Sequence, residues 1–230
     1  MDAVSGFWLR LRNRLRFGLA TQEILDRLAR IGIMIYPYFL VEERIVPSPE
    51  AGAAGENLQI RPLRAEEAAS IASIPERPRD ESKISELMHG ATCVAVIEND
   101  AVLAYSWFTR HRVWSFAGTD AFCELPPNWA YLFDLYVRPG ARGRRLANYL
   151  RRRVYQMLAA QGVTHCCSIS LAFNRSTRRF KRKLGAAEME LRLLLRLKPL
   201  PGLDVRLWRK PWPLKTPVVH VAYRAAQPVS

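Results

Sequence analysis

Between Tyr131 and Ala186 the chain can fold in few ways. Tyr131–Val137 (YLFDLYV) is an apolar run that ends at Arg138-Pro139-Gly140. Arg142-Gly143-Arg144 then opens a helical pattern, with Leu146, Leu150, Val154 and Leu158 at four-residue spacing on one face. Gly162 stands where such a helix stops, because glycine takes the left-handed conformation of a C-terminal cap at little cost. A β-rich run, Val163–Ala172, follows. Asn174 and Ser176 offer N-caps to a basic helix that stops at Gly185. Strand, glycine turn, helix, strand, helix predicts a βαβα unit with both strands in one sheet and a right-handed crossover.

The same stretch holds the chain's charge. From Arg138 to Ala187 there are 13 Lys and Arg and no Asp or Glu, in a 230-residue chain of net charge +14. A turn that feeds a helix N-terminus presents backbone N–H groups and the positive end of a helix dipole, which together suit a phosphate. A polyanion is therefore the ligand class this stretch predicts.

These residues resemble the GNAT superfamily of acyl-CoA-dependent acyltransferases. Its phosphate-binding signature, Arg/Gln-x-x-Gly-x-Gly/Ala after a strand, is similar to Arg142-Gly143-Arg144-Arg145-Leu146-Ala147, with Arg145 standing at the middle glycine. Downstream, Asn174, Phe180 and Leu184-Gly185 resemble the family's asparagine, fourth helix and Leu-Gly pattern. Upstream, Leu58–Ala72 (LQIRPLRAEEAASIA) resembles its first strand and helix. The resemblance implies an α/β (α+β) fold: a mixed, mostly antiparallel central sheet flanked by helices, splayed between the fourth and fifth core strands. An N-terminal helical extension precedes it. Three segments are expected: 1–56, a basic amphipathic extension and linker; 57–197, the acyltransferase domain; and 198–230, a Pro/Trp-rich segment with a final strand.

What the resemblance implies for chemistry is direct transfer of an acyl group from acyl-CoA, acetyl-CoA first among donors, to an amine. The pantetheine arm would pair with backbone at Leu135, Tyr136 and Val137. The pyrophosphate would sit on Arg142, Gly143, Arg144, Arg145, Leu146 and Ala147, and Asn174 would contact the arm. Relatives carry a glutamate on the central strand where Phe133 or Tyr131 stands here, so Asp134 is the neighbouring candidate for acid–base work. Strand alternation turns Asp134 the other way, unless a bulge re-aims it; otherwise its carboxylate bonds a nearby backbone group or arginine. The family's tyrosine acid falls at Lys181, which either steadies the leaving thiolate or is a solvated cation. Glu124 and Trp129, in the proline-bearing loop before the central strand, are candidates for binding the acceptor.

Composition limits the alternatives. Apolar content of 49% excludes a disordered chain, and 230 residues can bury one sizeable core. Cys93, Cys123, Cys166 and Cys167 show neither disulfide nor metal-ligand spacing, which predicts reduced thiols in the cytoplasm and no metal cofactor. Phe7–Phe17 (FWLRLRNRLRF) interleaves arginines with apolar residues. It reads either as a peripheral contact with the membrane's inner face or as a helix packed on the core; it does not read as a secretory signal. Ile31–Val41 is too short to cross a bilayer. Ser48–Gly55 is a linker by composition, and Glu98-Asn99-Asp100 joins two strand-like runs as a hairpin. After Leu197, Trp208-Arg209-Lys210-Pro211-Trp212 suits a membrane interface, a nucleic acid or the protein's own edge. Two further partner classes follow from the charge. An acidic acyl carrier protein could replace CoA as donor; nucleic acid binding has the charge but no recognition signature.

Overall fold

The structure is a computed structural model that describes residues 19–45, 58–110, 112–114, 122–197, 202–211 and 219–221. The Phe7–Phe17 segment, the 48–55 linker, Trp212 and the side chain of Cys123 lie outside the described residues. The first elements in the chain are α1 (Leu19–Arg30), β1 (Ile33–Arg44), β2 (Gln59–Pro62), α2 (Ala68–Ala72), α3 (Glu81–Gly90), β3 (Thr92–Glu98) and β4 (Ala101–Thr109). Next come β5 (Arg112–Trp114), β6 (Phe122–Glu124), β7 (Trp129–Val137) and α4 (Leu146–Ala159). The last are β8 (His165–Leu171), α5 (Arg175–Lys183), β9 (Ala187–Leu197), β10 (Gly202–Arg209) and β11 (Val219–Val221). The chain divides into two compact units, here called core (Arg44–Val113 and Glu124–Cys167) and terminal (Met1–Glu43, Trp114–Cys123 and Ser168–Ser230).

In the core unit β2, β3, β4 and β7 pair antiparallel in that order. Asn99 and Asp100 both take positive φ, +49° and +61°, as a two-residue primed turn requires, so the expected hairpin forms. Alternation along β3 then sorts its side chains. Val94 and Val96 pack with Leu146, Leu150, Val154 and Leu158 of α4, while Cys93, Ala95 and Ile97 pack with Ile71 of α2 and Ile84 of α3. The sheet is thus buried on both faces, which explains its near-continuous apolar strands. Asp80 caps α3 by accepting the Ser82 N–H at 3.0 Å. The fold class is the expected one: mixed α/β, mostly antiparallel strands, helices on the sheet faces.

In the terminal unit β1 pairs antiparallel with β9, β9 with β10, and β10 with β11, and β8 lies beside β1. The Ile31–Val41 run therefore forms a sheet strand. One face of β1–β9–β10 buries charge. Asp204 accepts from the Tyr38 hydroxyl at 2.6 Å and from Arg192 Nε at 3.1 Å, and Glu190 meets Arg192, Arg206 and Arg209 at 3.4, 3.5 and 3.5 Å. Buried carboxylates survive only when paired and hydrogen-bonded in this way. The opposite face carries α5, with the Arg178 guanidinium 4.3 Å from the centre of the Phe39 ring. Arg178 also forms a fork with Glu188, Nε to Oε1 at 2.7 Å.

Candidate active site

Strand β7 carries an irregularity that fixes the site's geometry. Tyr105 pairs with Tyr136 and Trp107 with Phe133, so β7 has one more residue than β4 between these pairs. The extra residue makes a bulge at Asp134, whose φ is +49°. Simple alternation would point Asp134 away from Phe133. The bulge instead brings its carboxylate to Arg77 Nη1 at 2.6 Å and to Arg79 Nη1 at 2.9 Å, both in the loop between α2 and α3. Arg77 also donates to the Tyr105 hydroxyl at 2.7 Å and lies 5.3 Å from the Tyr136 ring centre. Burial, with the nearby Asp134 charge, pushes the Tyr105 phenol up to about 12. Phe133 fills the neighbouring position by stacking on Tyr131 and Trp107 at 5.4 and 6.2 Å. Sequence reasoning missed Arg77 and Arg79. They sit in a proline-broken loop more than 50 residues away in sequence, where no local pattern marks them.

Beyond β7 the chain turns toward α4. Arg138 donates its N–H to the Leu103 carbonyl at 2.9 Å, and a 3-10 turn (Pro139–Ala141) follows. Gly143 takes φ +86°, and an added Cβ there would meet nothing within 4 Å. Helix α4 begins at Leu146 rather than at Arg142. Arg145 occupies the N-cap with φ +59°, and its carbonyl accepts from Asn148 and Tyr149 at 3.0 and 3.2 Å. The left-handed turns at Gly143 and Arg145 delay the helix, so Arg142–Arg145 form an exposed loop at its N-terminus. Leu146, buried, anchors that end while the amides of the first helical turn have no intrahelical acceptor. Arg144 is drawn aside by a bidentate pair with Glu98, Nη1 to Oε2 at 2.9 Å and Nη2 to Oε1 at 2.5 Å. Arg142 and Arg145 are left exposed beside the amides.

The other candidates divide between the units. Leu135 and Val137 pack on the α4 side of β7 and Tyr136 on the other. Trp129 is buried and stacks on His165 at 5.1 Å, and Glu124 is exposed at the end of β6. Asn174 and Lys181 belong to the terminal unit. Asn174 caps α5, its Oδ1 accepting the Thr177 N–H at 3.0 Å. Lys181 is buried: its ammonium donates to Ser168 Oγ at 2.7 Å and to the Ile169 carbonyl at 2.9 Å, and Ser168 Oγ donates to Glu43 Oε1 at 2.5 Å. Among the described residues, no three His, Cys, Asp or Glu gather as a metal site. No described helix is long and apolar enough to cross a membrane.

Residues 59–186, more than half the chain, match the model of the Acetyltransferase (GNAT) family. This chain belongs to the GNAT family. Solved structures agree on the fold. A Drosophila protein is 18% identical with a TM-score of 0.52, over 78% of this chain and 57% of that one. A tandem GNAT protein from the clavulanic acid biosynthesis pathway is 12% identical with a TM-score of 0.51, over 80% and 58%. A GNAT-family protein from Novosphingobium aromaticivorans is 20% identical with a TM-score of 0.50, over 72% and 65%. This GNAT chain therefore spans less than two thirds of the length of each. Comparison with curated protein sequences gives no match. Family membership supports acyl transfer as the general chemistry, with acetyl-CoA the family's general donor.

Proposed function

We propose that this GNAT protein transfers an acyl group, with acetyl the leading candidate, from acyl-CoA to an amine by direct attack within a ternary complex. The observation that carries the reading is the run from a bulged strand, through a glycine at φ +86°, to an exposed helix N-terminus flanked by Arg142 and Arg145. That run offers backbone amides and cations to a pyrophosphate, with room for close approach at Gly143. The backbone of Leu135, Tyr136 and Val137 is proposed to hold the pantetheine arm. In the reaction the neutral amine nitrogen attacks the thioester carbon, a C–N bond forms, the C–S bond breaks, and the proton lost from nitrogen is balanced by the one the leaving thiolate takes up. Rate enhancement then rests on holding donor and amine together and on donors placed at the developing oxyanion.

Asp134 and Lys181 are proposed as positioning residues. The first locks the Arg77–Arg79 loop to β7, and the second fastens α5 to β8. Glu124 is kept as an acceptor-side residue because it is exposed, while Trp129 acts through packing. Cytoplasmic placement is proposed as well, in keeping with the buried Cys93, Cys166 and Cys167, which form no disulfide among the described residues. The test is thermal unfolding of the purified chain with CoA, acetyl-CoA and longer acyl-CoAs. A ligand at about 100 times its dissociation constant adds ~2.7 kcal/mol of stability, which raises the midpoint visibly. The chain-length preference then names the acyl group to assay for transfer. No shift with any thioester would overturn CoA as the carrier and turn attention to an acyl carrier protein.

A further inference from the structure

The Trp208-Arg209-Lys210 segment has no part in the chemistry above, and its place in the terminal unit is informative. Strand β10 slips by one residue against β9: Arg206 pairs with Arg192, but Trp208 with Leu191 and Arg209 with Glu190. The slip at Leu207 keeps Arg206 and Arg209 on the charge-burying face, where both reach Glu190, and sends Trp208 to the opposite face. Without it Trp208 would share a face with Arg206, since strand side chains alternate.

Among the described residues, that opposite face is covered at one end only. Helix α5 shields β8 and β1, through Lys181 on Ser168 and Arg178 over Phe39. The row Phe39, Leu191, Trp208 runs from beneath α5 toward the far strand. There Leu197, Leu203, Leu207 and Trp208 are 49%, 38%, 54% and 43% exposed, four of the seven large apolar side chains exposed among the described residues. A contiguous exposed apolar patch of this kind marks a binding surface. Its neighbour, α5, carries six cations and no acid, with Arg179, Arg182 and Lys183 exposed, and Lys210 lies 5.4 Å from the Trp208 ring centre.

We propose that this face, the β9–β10 sheet that no described residue covers, with α5 beside it, docks on an anionic lipid surface. Leucines and an exposed tryptophan suit the headgroup–acyl boundary, and a helix of cations suits the phosphates above it. A second copy fits poorly, because two such faces would bring two acid-free basic helices together. The proposal is independent of the acyl-CoA reading, and none of its test substitutions falls on a residue assigned to that reading.

The experiment is co-sedimentation of the full chain with vesicles of phosphatidylcholine, with and without phosphatidylglycerol, run alongside light scattering of the free protein. The expected result is binding to the anionic vesicles only, weakened by salt. Trp208→Ser with Leu203→Ser should lower the partition coefficient by about tenfold or more, the loss expected for removing two interfacial apolar side chains. Arg182→Glu with Lys183→Glu should lower it similarly, with circular dichroism and the acetyl-CoA response unchanged in both. Three results would overturn it: no binding to anionic vesicles at low salt, binding indifferent to the Trp208/Leu203 pair, or a dimer in solution that the same pair abolishes.

Discussion

Asp134 shows how a single residue's role can hinge on one backbone angle. Its φ of +49° turns a side chain that alternation would send away into a two-arginine clamp. A carboxylate placed 2.6 and 2.9 Å from two guanidiniums ties the Arg77–Arg79 loop to β7, which is a positioning role. Asp134→Asn should therefore cost stability more than chemistry. Removing one partner from a partly buried cluster of this kind costs roughly 2–3 kcal/mol, less than the 3–5 of a fully buried pair. The midpoint should fall by several degrees, while kcat at a temperature where the variant is folded should drop less than about tenfold. A loss nearer the 10²–10⁴ of a removed general base, with the fold intact, would make Asp134 the base instead. The sequence named Asp134 and both of its alternatives, a bulge that re-aims it and an arginine partner. It could not choose, because the bulge depends on how two strands register and the arginines lie more than 50 residues upstream.

At the level of elements, local chemistry was readable and cross-strand chemistry was not. The four-residue spacing from Leu146 to Leu158, the Asn174 cap and the Asn99-Asp100 turn each depend on neighbours in sequence, and each forms. The start of α4 was placed four residues early. Arg142, Arg144 and Arg145 have helical propensity, but the positive φ at Gly143 and Arg145 unwinds the segment into the loop. The slip in β10 was equally hidden, since nothing in LDVRLWR says that Leu207 is the extra residue. The turn yields a clean test. A side chain at Gly143 would clash with nothing, so its cost is conformational. Gly143→Val forces a β-branched residue to φ near +86° and should cost about 1–3 kcal/mol of stability and at least tenfold in acyl-CoA affinity. Gly143→Asn, which tolerates left-handed backbone, should recover most of the stability. If both variants fold and bind acyl-CoA as the parent does, the pyrophosphate site lies elsewhere.

Across the whole chain the question is what a charge of +14 is for. Part of the arginine content is consumed internally: Arg144 by Glu98, Arg178 by Glu188, Arg77 and Arg79 by Asp134, Arg192 by Asp204 and Glu190. Each such pair removes one acid from the surface along with one base. The exposed cations Arg142, Arg145, Arg153, Arg179, Arg182 and Lys183 therefore stand with few acids beside them. Any polyanion will feel that surface, so weak attraction to nucleic acid at low salt is no sign of a nucleic-acid function. Salt dependence separates the cases. A duplex whose phosphates are neutralised by six to ten cations releases as many counterions, and its affinity falls ~10³–10⁵ between 50 and 200 mM salt. A pyrophosphate seated on helix amides and one or two arginines engages far fewer charges, and its amide contacts are hardly screened. Fluorescence anisotropy of a labelled duplex and titration with acetyl-CoA, both run from 50 to 200 mM salt, should part accordingly. DNA binding should vanish while acetyl-CoA affinity changes by less than about tenfold. Parallel collapse of both would mean that CoA, too, is held only by diffuse charge, and the Gly143 turn would lose its claim to be a built phosphate site.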